Sequence, residues 1–159
     1  MRLLEVVGLA KRFGPHEALA GVSFTVEEGH VVALVGPAGS GKSACLACIA
    51  GATVPEGGRV IFDGRDVTAR RRGLPPPAGM ALSIAAALAG RPRLLLLDDA
   101  LAGLSPEAAR PVETLLGGLR AQGLTILLAA REPFELADRT VVLDRGRVGG
   151  PARAAERGH

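Results

Sequence analysis

The sequence predicts an α/β protein, with a mostly parallel sheet flanked by helices and an antiparallel β portion near the N-terminus. Three observations carry that expectation. The apolar run Val31 to Val35 is followed at once by a glycine-rich stretch and a short helical stretch, the order of a strand–loop–helix unit. In the second half, apolar strand-like runs alternate with helical stretches, which implies parallel pairing. Nearer the start, Val22, Phe24 and Val26 alternate with polar neighbours, as in a strand with one buried face.

Taken in order, Leu3 to Leu9 reads as a first strand and Lys11-Arg12-Phe13-Gly14-Pro15 as a polar turn. The strand through Val22 ends at the turn Glu27-Glu28-Gly29, which leads into Val31. Ala44 to Ala50 reads as a helix capped by Gly51. Pro55 to Gly58 is a turn, and Arg59 to Phe62 a strand closed by Asp63-Gly64. Residues 69 to 79 hold three arginines and three prolines in eleven positions, which excludes a strand or a helix interior. They read as a junction, with Arg70 to Arg72 a solvated charge run.

Beyond the junction, Ala81 to Ala89 reads as a helix, within the apolar stretch from Met80. Leu94 to Leu97 is an apolar strand ending in Asp98-Asp99. Ser105 is placed to cap a helix that has Pro106 at its first position and stops at Gly123. Leu124 to Ala130 is a buried strand, Pro133 to Ala137 a short helix and Thr140 to Leu143 a last strand. The expected organisation is one domain over 1–159: a β-rich part (1–68), the junction (69–79), a second half (80–150) and a polar tail (151–159).

The stretch GPAGSGKS satisfies G-x-x-x-x-G-K-[ST] with Gly36, Gly41, Lys42 and Ser43, and it has a strand before it and a helix after it. That context predicts a P-loop NTPase core. The backbone of Gly36, Pro37, Ala38, Gly39, Ser40, Gly41, Lys42, Ser43 and Ala44 would cradle phosphates at a helix N-terminus. Lys42 would reach the β- and γ-phosphates, and the Ser43 hydroxyl would ligate Mg²⁺. The four leucines before Asp98 form an apolar strand ending in an acid, which can hold Mg²⁺ near the phosphates. ATP and Mg²⁺ are therefore the expected cofactors.

Composition bounds the rest. A hydrophobic content of 48% with 22% charged residues fits a folded soluble chain, and the longest apolar run, Met80 to Gly90, is too short to span a membrane. No leader opens the sequence, so a cytoplasmic address is expected. Tyr and Trp are absent and only four Phe are present, which leaves no stacking platform for nucleic acid. Cys45 and Cys48 make a C-x-x-C without a second ligand pair, so they read as small residues on a packed helix face.

With these motifs in place, most of the chain resembles the ATP-binding subunit of ABC transporters. One block runs from Leu3 to about Thr68 and includes KRFG, ALAGVSFTVEEGHVVALVGPAGSGKS and PEGGRVIFDGRDVT. The other runs from about Leu82 to Val148 and includes ALAGRPRLLLLDDALAGLSPEAA and ADRTVVLDRGRV. The wording FDGRDVT and AGLSPE is most similar to branched-chain amino-acid importers. The resemblance implies a subunit that binds Mg-ATP to power solute transport, with Phe13 stacked on adenine, Asp98 on the metal and Asp99 and Arg131 at the catalytic positions. It also implies a second ABC ATPase subunit in a homo- or heterodimer, transmembrane permease subunits as partners, and a peripheral place on the inner face of the plasma membrane.

The departures from the family are specific. The helical subdomain that lies between the two blocks is replaced by residues 69 to 79, and no glutamine of a glutamine loop lies there. Leu74-Pro75-Pro76-Pro77-Ala78 stands where the signature LSGGQ is expected, and prolines cannot offer the N–H donors that motif presents to a partner's γ-phosphate. Asp99 is one methylene shorter than the family's glutamate, and Arg131 replaces a histidine that exchanges a proton. Turnover is thus expected to be impaired, and permease docking weak. The alternatives are a non-hydrolysing ATP-binding regulatory module, a remnant without function and, less well supported, a small-molecule P-loop kinase.

Overall fold

The computed structural model describes residues 1–68, 80–81, 93–99, 105–133 and 135–149, with 80–81 as backbone. The elements are β1 (Arg2–Phe13), β2 (His16–Glu27), β3 (Val31–Val35), α1 (Lys42–Ala50), β4 (Gly57–Phe62) and β5 (Arg65–Asp66), followed by β6 (Met80–Ala81), β7 (Leu94–Asp98), α2 (Pro106–Ala121), β8 (Thr125–Ala130), β9 (Arg139–Asp144) and β10 (Arg147–Val148).

Among the described residues the strands form two sheets. One is antiparallel, in the order β2-β1-β4-β5. The other runs β10-β9-β3-β8-β7-β6, and every neighbour pair from β9 to β6 is parallel. This is the α/β fold with an N-terminal antiparallel portion that the hydrophobic pattern predicts.

The two faces of the parallel sheet divide by side-chain alternation. Val32, Leu34, Leu94, Leu96, Leu127 and Ala129 face α1 and the antiparallel sheet. Val31, Ala33, Leu95, Leu97, Ile126 and Leu128 face the other way, toward Leu116 of α2, with Val112 and Leu119 packed against them. The spacing of Val112, Leu116 and Leu119 makes α2 a helix with one apolar stripe. By contrast α1, KSACLACIA, is enclosed between the two sheets and is apolar nearly all round.

Local signals set several boundaries. Ser105 Oγ accepts from the Ala108 N–H at 3.2 Å, and Pro106 occupies the first turn, as the cap motif requires. Gly51 caps α1 in the left-handed conformation. At its far end α2 is tied down by Arg120, which pairs with Asp138, while Asp138 Oδ2 accepts from the Val31 N–H at 2.8 Å. One carboxylate thus joins a helix end to the start of the central strand.

Four expectations are corrected. The first turn is shorter than read: Lys11 to Phe13 belong to β1, and Phe13 pairs with His16 across Gly14-Pro15. Cross-strand bonding extends the strand beyond its apolar residues. Met80–Ala81 is not the start of a helix but a strand parallel to β7, paired with Leu94 and Leu95; residues 82–92 lie outside the described residues. Here the backbone bonds to a sheet edge, which no local periodicity announces. In place of a short helix at Pro133–Ala137, Glu135 and Leu136 form a turn, with residue 134 outside the described residues. Five residues do not repay helix nucleation, and Leu136 and Ala137 pack against the α2-side core instead. Last, β10 follows β9 through Arg145 and Gly146, both at positive φ, a tight hairpin that was not anticipated. The junction at 69–79, the signature-position residues 74–78 and the tail lie outside the described residues.

Candidate nucleotide-binding site

The site begins where β3 ends. Gly36 leaves the strand against β9: a Cβ there would lie 2.4 Å from the Leu143 carbonyl oxygen and 2.6 Å from Ser40 Oγ. Gly41, at φ 105°, precedes Lys42, and a Cβ on it would meet the Ala18 carbonyl at 2.5 Å. No residue but glycine fits either place without moving backbone.

The loop between them is held at several points. Gly36 N–H donates to Ala130 O at 3.3 Å, Ser40 N–H to Pro37 O at 3.1 Å, and Gly146 N–H to Ser40 O at 2.9 Å. The last bond ties the β9–β10 turn to the loop. With Gly41 as its N-cap residue, α1 has no side-chain cap, so its first N–H groups and dipole stay open to an anion. Lys42 is buried and donates to the Gly36 carbonyl. Ser40 Oγ is also buried and has no hydrogen-bond partner among the described residues. A glycine cradle, an uncapped helix start, a buried cation and an orphaned hydroxyl fit a phosphate chain.

An open cleft of about 340 Å³ lies over this loop, lined by Ala38 to Ala44 together with Phe13, His16, Ala18, Asp99 and Arg131. Four separate parts of the chain therefore meet there. Phe13, at the end of β1, is 51% exposed. Asp99 follows β7 at φ 54° and donates its N–H to Ala129 O at 3.1 Å, in a conformation that aspartate tolerates better than most side chains. Arg131 follows β8 and is exposed. Lys42 and Arg131 face one carboxylate, Asp99, so the cleft favours an anionic ligand.

Of the sequence-predicted residues, Gly36, Pro37 and Asp98 do not line the cleft. Gly36 lies behind it, packed on β9. Asp98 continues the alternation of Leu94 and Leu96 and so belongs to the α1-facing side of β7. His16 and Ala18 line the cleft and were not singled out from the sequence. Their signal was the two-residue hairpin, which sets His16 opposite Phe13.

Cys45 and Cys48 are free and buried in α1. Burial pushes the Cys45 thiol well above its ordinary range, with Cys48 adding to the effect, and burial raises Cys48 to about 11. Among the described residues no cluster of three His, Cys, Asp or Glu side chains is arranged to hold a metal ion. Both thiols are expected to resist a disulfide reagent at pH 7.5 and to react fully once denaturant unfolds the chain. Rapid labelling of the folded protein would contradict this packing.

The chain is similar to known proteins in both sequence and fold. Residues 19–77 match the model of the ABC transporter family. The aliphatic sulfonates import ATP-binding protein SsuB 1 of Nocardia farcinica is 30% identical, over 91% of this chain and 79% of its own length. The methionine import ATP-binding protein MetN of Mesorhizobium japonicum is 29% identical over 92% of this chain. That alignment runs over 215 residues, so MetN carries some tens of residues with no counterpart here, and the aligned part is 59% of its length. The chain thus spans about three fifths of the methionine-import relatives.

Among solved structures, MJ1267, an ATP-binding cassette of an ABC transporter in its ADP conformation, superposes with a TM-score of 0.84. It is 22% identical, with 93% of this chain and 89% of that one covered. The dimeric cassette MJ0796 gives a TM-score of 0.80 at 19% identity, covering 93% and 97%. The relatives named here import methionine and sulfonates, and give the branched-chain wording no support. Sequence identity over most of the sulfonate-import protein, on a cassette fold, makes this chain a member of the ABC-transporter ATP-binding family.

Proposed function

We propose that this chain is the ATP-binding subunit of an ABC-type importer, holding Mg-ATP in the cleft over residues 36–44 and turning it over poorly on its own. The convergence of Phe13, Lys42, Asp99 and Arg131 on that cleft supports the reading. In it the loop N–H groups and Lys42 hold the phosphates, Ser43 and Asp98 hold Mg²⁺, and Phe13 stacks on the base. Arg131, permanently charged, clamps a phosphate oxygen but moves no proton. Asp99 is the group that would orient the attacking water. A shortfall of about 1 Å in such a base lowers the rate on the order of 100-fold.

The unit that performs this is one shortened nucleotide-binding domain over 1–159. Its partners are a second ABC ATPase subunit, which supplies the signature donors this chain lacks, and a permease. Among the described residues no helix is long and apolar enough to cross a membrane, which suits a peripheral subunit on the inner face. Cargo is a small organic solute. Methionine, aliphatic sulfonates and, from the sequence wording, branched-chain amino acids are the candidates, and partner proteins choose among them.

Equilibrium titration with ATP, with and without Mg²⁺, tests the site, and a phosphate-release assay tests turnover. Micromolar binding that Mg²⁺ strengthens is expected, with turnover on the order of 100-fold below that of an intact relative. Stoichiometric mixing with such a relative should raise the rate. Absence of binding by a folded, monodisperse chain would overturn the reading.

A further inference from the structure

We propose that Lys11 and Glu56 form a latch that positions Phe13 as the nucleobase platform, and so set how much of the nucleotide affinity the base contributes. The proposal rests on the reading of the cleft as an ATP site and deepens it.

Phe13 ends β1 at the mouth of the cleft, half exposed. An exposed ring at the tip of a hairpin stacks well only if something fixes it. Lys11 Nζ lies 5.1 Å from the centre of the Phe13 ring, within cation–π range. The same ammonium donates to the Val54 carbonyl at 2.8 Å and lies 3.4 Å from Glu56 Oε1. Its side chain is only 12% exposed, so a surface lysine is here held on three sides.

Glu56 grips the same strand a second time. Its Oε2 accepts from the Arg12 N–H at 2.9 Å, and its own N–H donates to Ala10 O at 2.9 Å. The backbone on either side of Lys11 is therefore anchored to the segment that follows α1. That segment starts at the end of the helix whose uncapped N-terminus opens on the cleft. The latch thus ties the base end of the cleft to the phosphate end, and Lys11 is a positioning residue that acts through Phe13.

Mg-ATP and Mg-tripolyphosphate, which has no base, separate this role from a general structural one. Both are titrated against the wild type, Lys11→Met, Glu56→Gln, Phe13→Ala and the Lys11→Met/Phe13→Ala double variant. Lys11→Met should weaken ATP about fivefold. It should leave tripolyphosphate unchanged within about twofold. Glu56→Gln should shift ATP in the same direction by less, and in the Phe13→Ala background Lys11→Met should cost nothing more. Equal losses for both ligands, no loss for ATP, or full additivity in the double variant would each overturn the latch. A wild type that binds tripolyphosphate and ATP equally well would remove the latch while leaving the phosphate site. A wild type that binds neither would remove both.

Discussion

Lys42→Ala should lower the affinity for Mg-ATP on the order of 100-fold, since in the proposed reading it removes the charged donor that would hold the phosphate chain. In the structure that ammonium is buried and donates to the Gly36 carbonyl. The fold should tolerate the change, because the substitution removes both the charge and the cost of burying it. A calorimetric titration alongside a thermal melt checks both statements. Retained affinity would mean that the loop does not hold phosphate, and the proposed function would fail with it. An unfolded variant would instead point to Lys42 as part of the loop's scaffold.

Gly36→Ala should damage the fold and the site together. Its added methyl would sit 2.4 Å from the Leu143 carbonyl, which belongs to β9, and 2.6 Å from Ser40 Oγ. The hydroxyl can rotate away, but the carbonyl is part of a strand paired with β3 and cannot yield alone. Either β9 withdraws from β3 or the loop lifts off the sheet. The expected penalty is about 2–3 kcal/mol, in the range of overpacked cores. It is measured as a shift of the urea midpoint at unchanged slope. Nucleotide affinity should fall as well, because the displaced residue starts the glycine-rich loop that the proposed function assigns to the phosphates. A shift under about 0.5 kcal/mol, the size of an ordinary surface substitution, would show that β3 and β9 do not approach this closely.

What was legible in the sequence follows the range of the interactions involved. The stretch from Val31 to Gly51 could be read almost residue by residue because its determinants are neighbours in the chain. An unbroken apolar run makes a buried strand, glycines permit the close turn, and Gly51 ends the helix. Ser105 and Pro106 likewise announced α2. Asp98 was legible only as the acid that ends an apolar strand; its face follows from the structure, where Leu94 and Leu96 turn toward α1 and a residue two beyond Leu96 shares their side.

The misreadings fall where the partner of a backbone group is distant in sequence. Lys11 to Phe13 look like a polar turn until β2 and Glu56 bond to them. Met80–Ala81 look like the start of a helix until the edge of β7 pairs with them.

The sequence by itself determined a glycine-rich loop between a buried strand and a helix, and which residues make it, because strand, loop and helix are adjacent and governed by local rules. Only the tertiary structure decided that Phe13, His16, Asp99 and Arg131 share one cleft with that loop. That meeting depends on β3 lying between β8 and β9, and on the antiparallel sheet folding over α1. The physical reason is burial: both faces of the parallel sheet are apolar, so each must be covered, and covering them carries distant strand ends to the same edge.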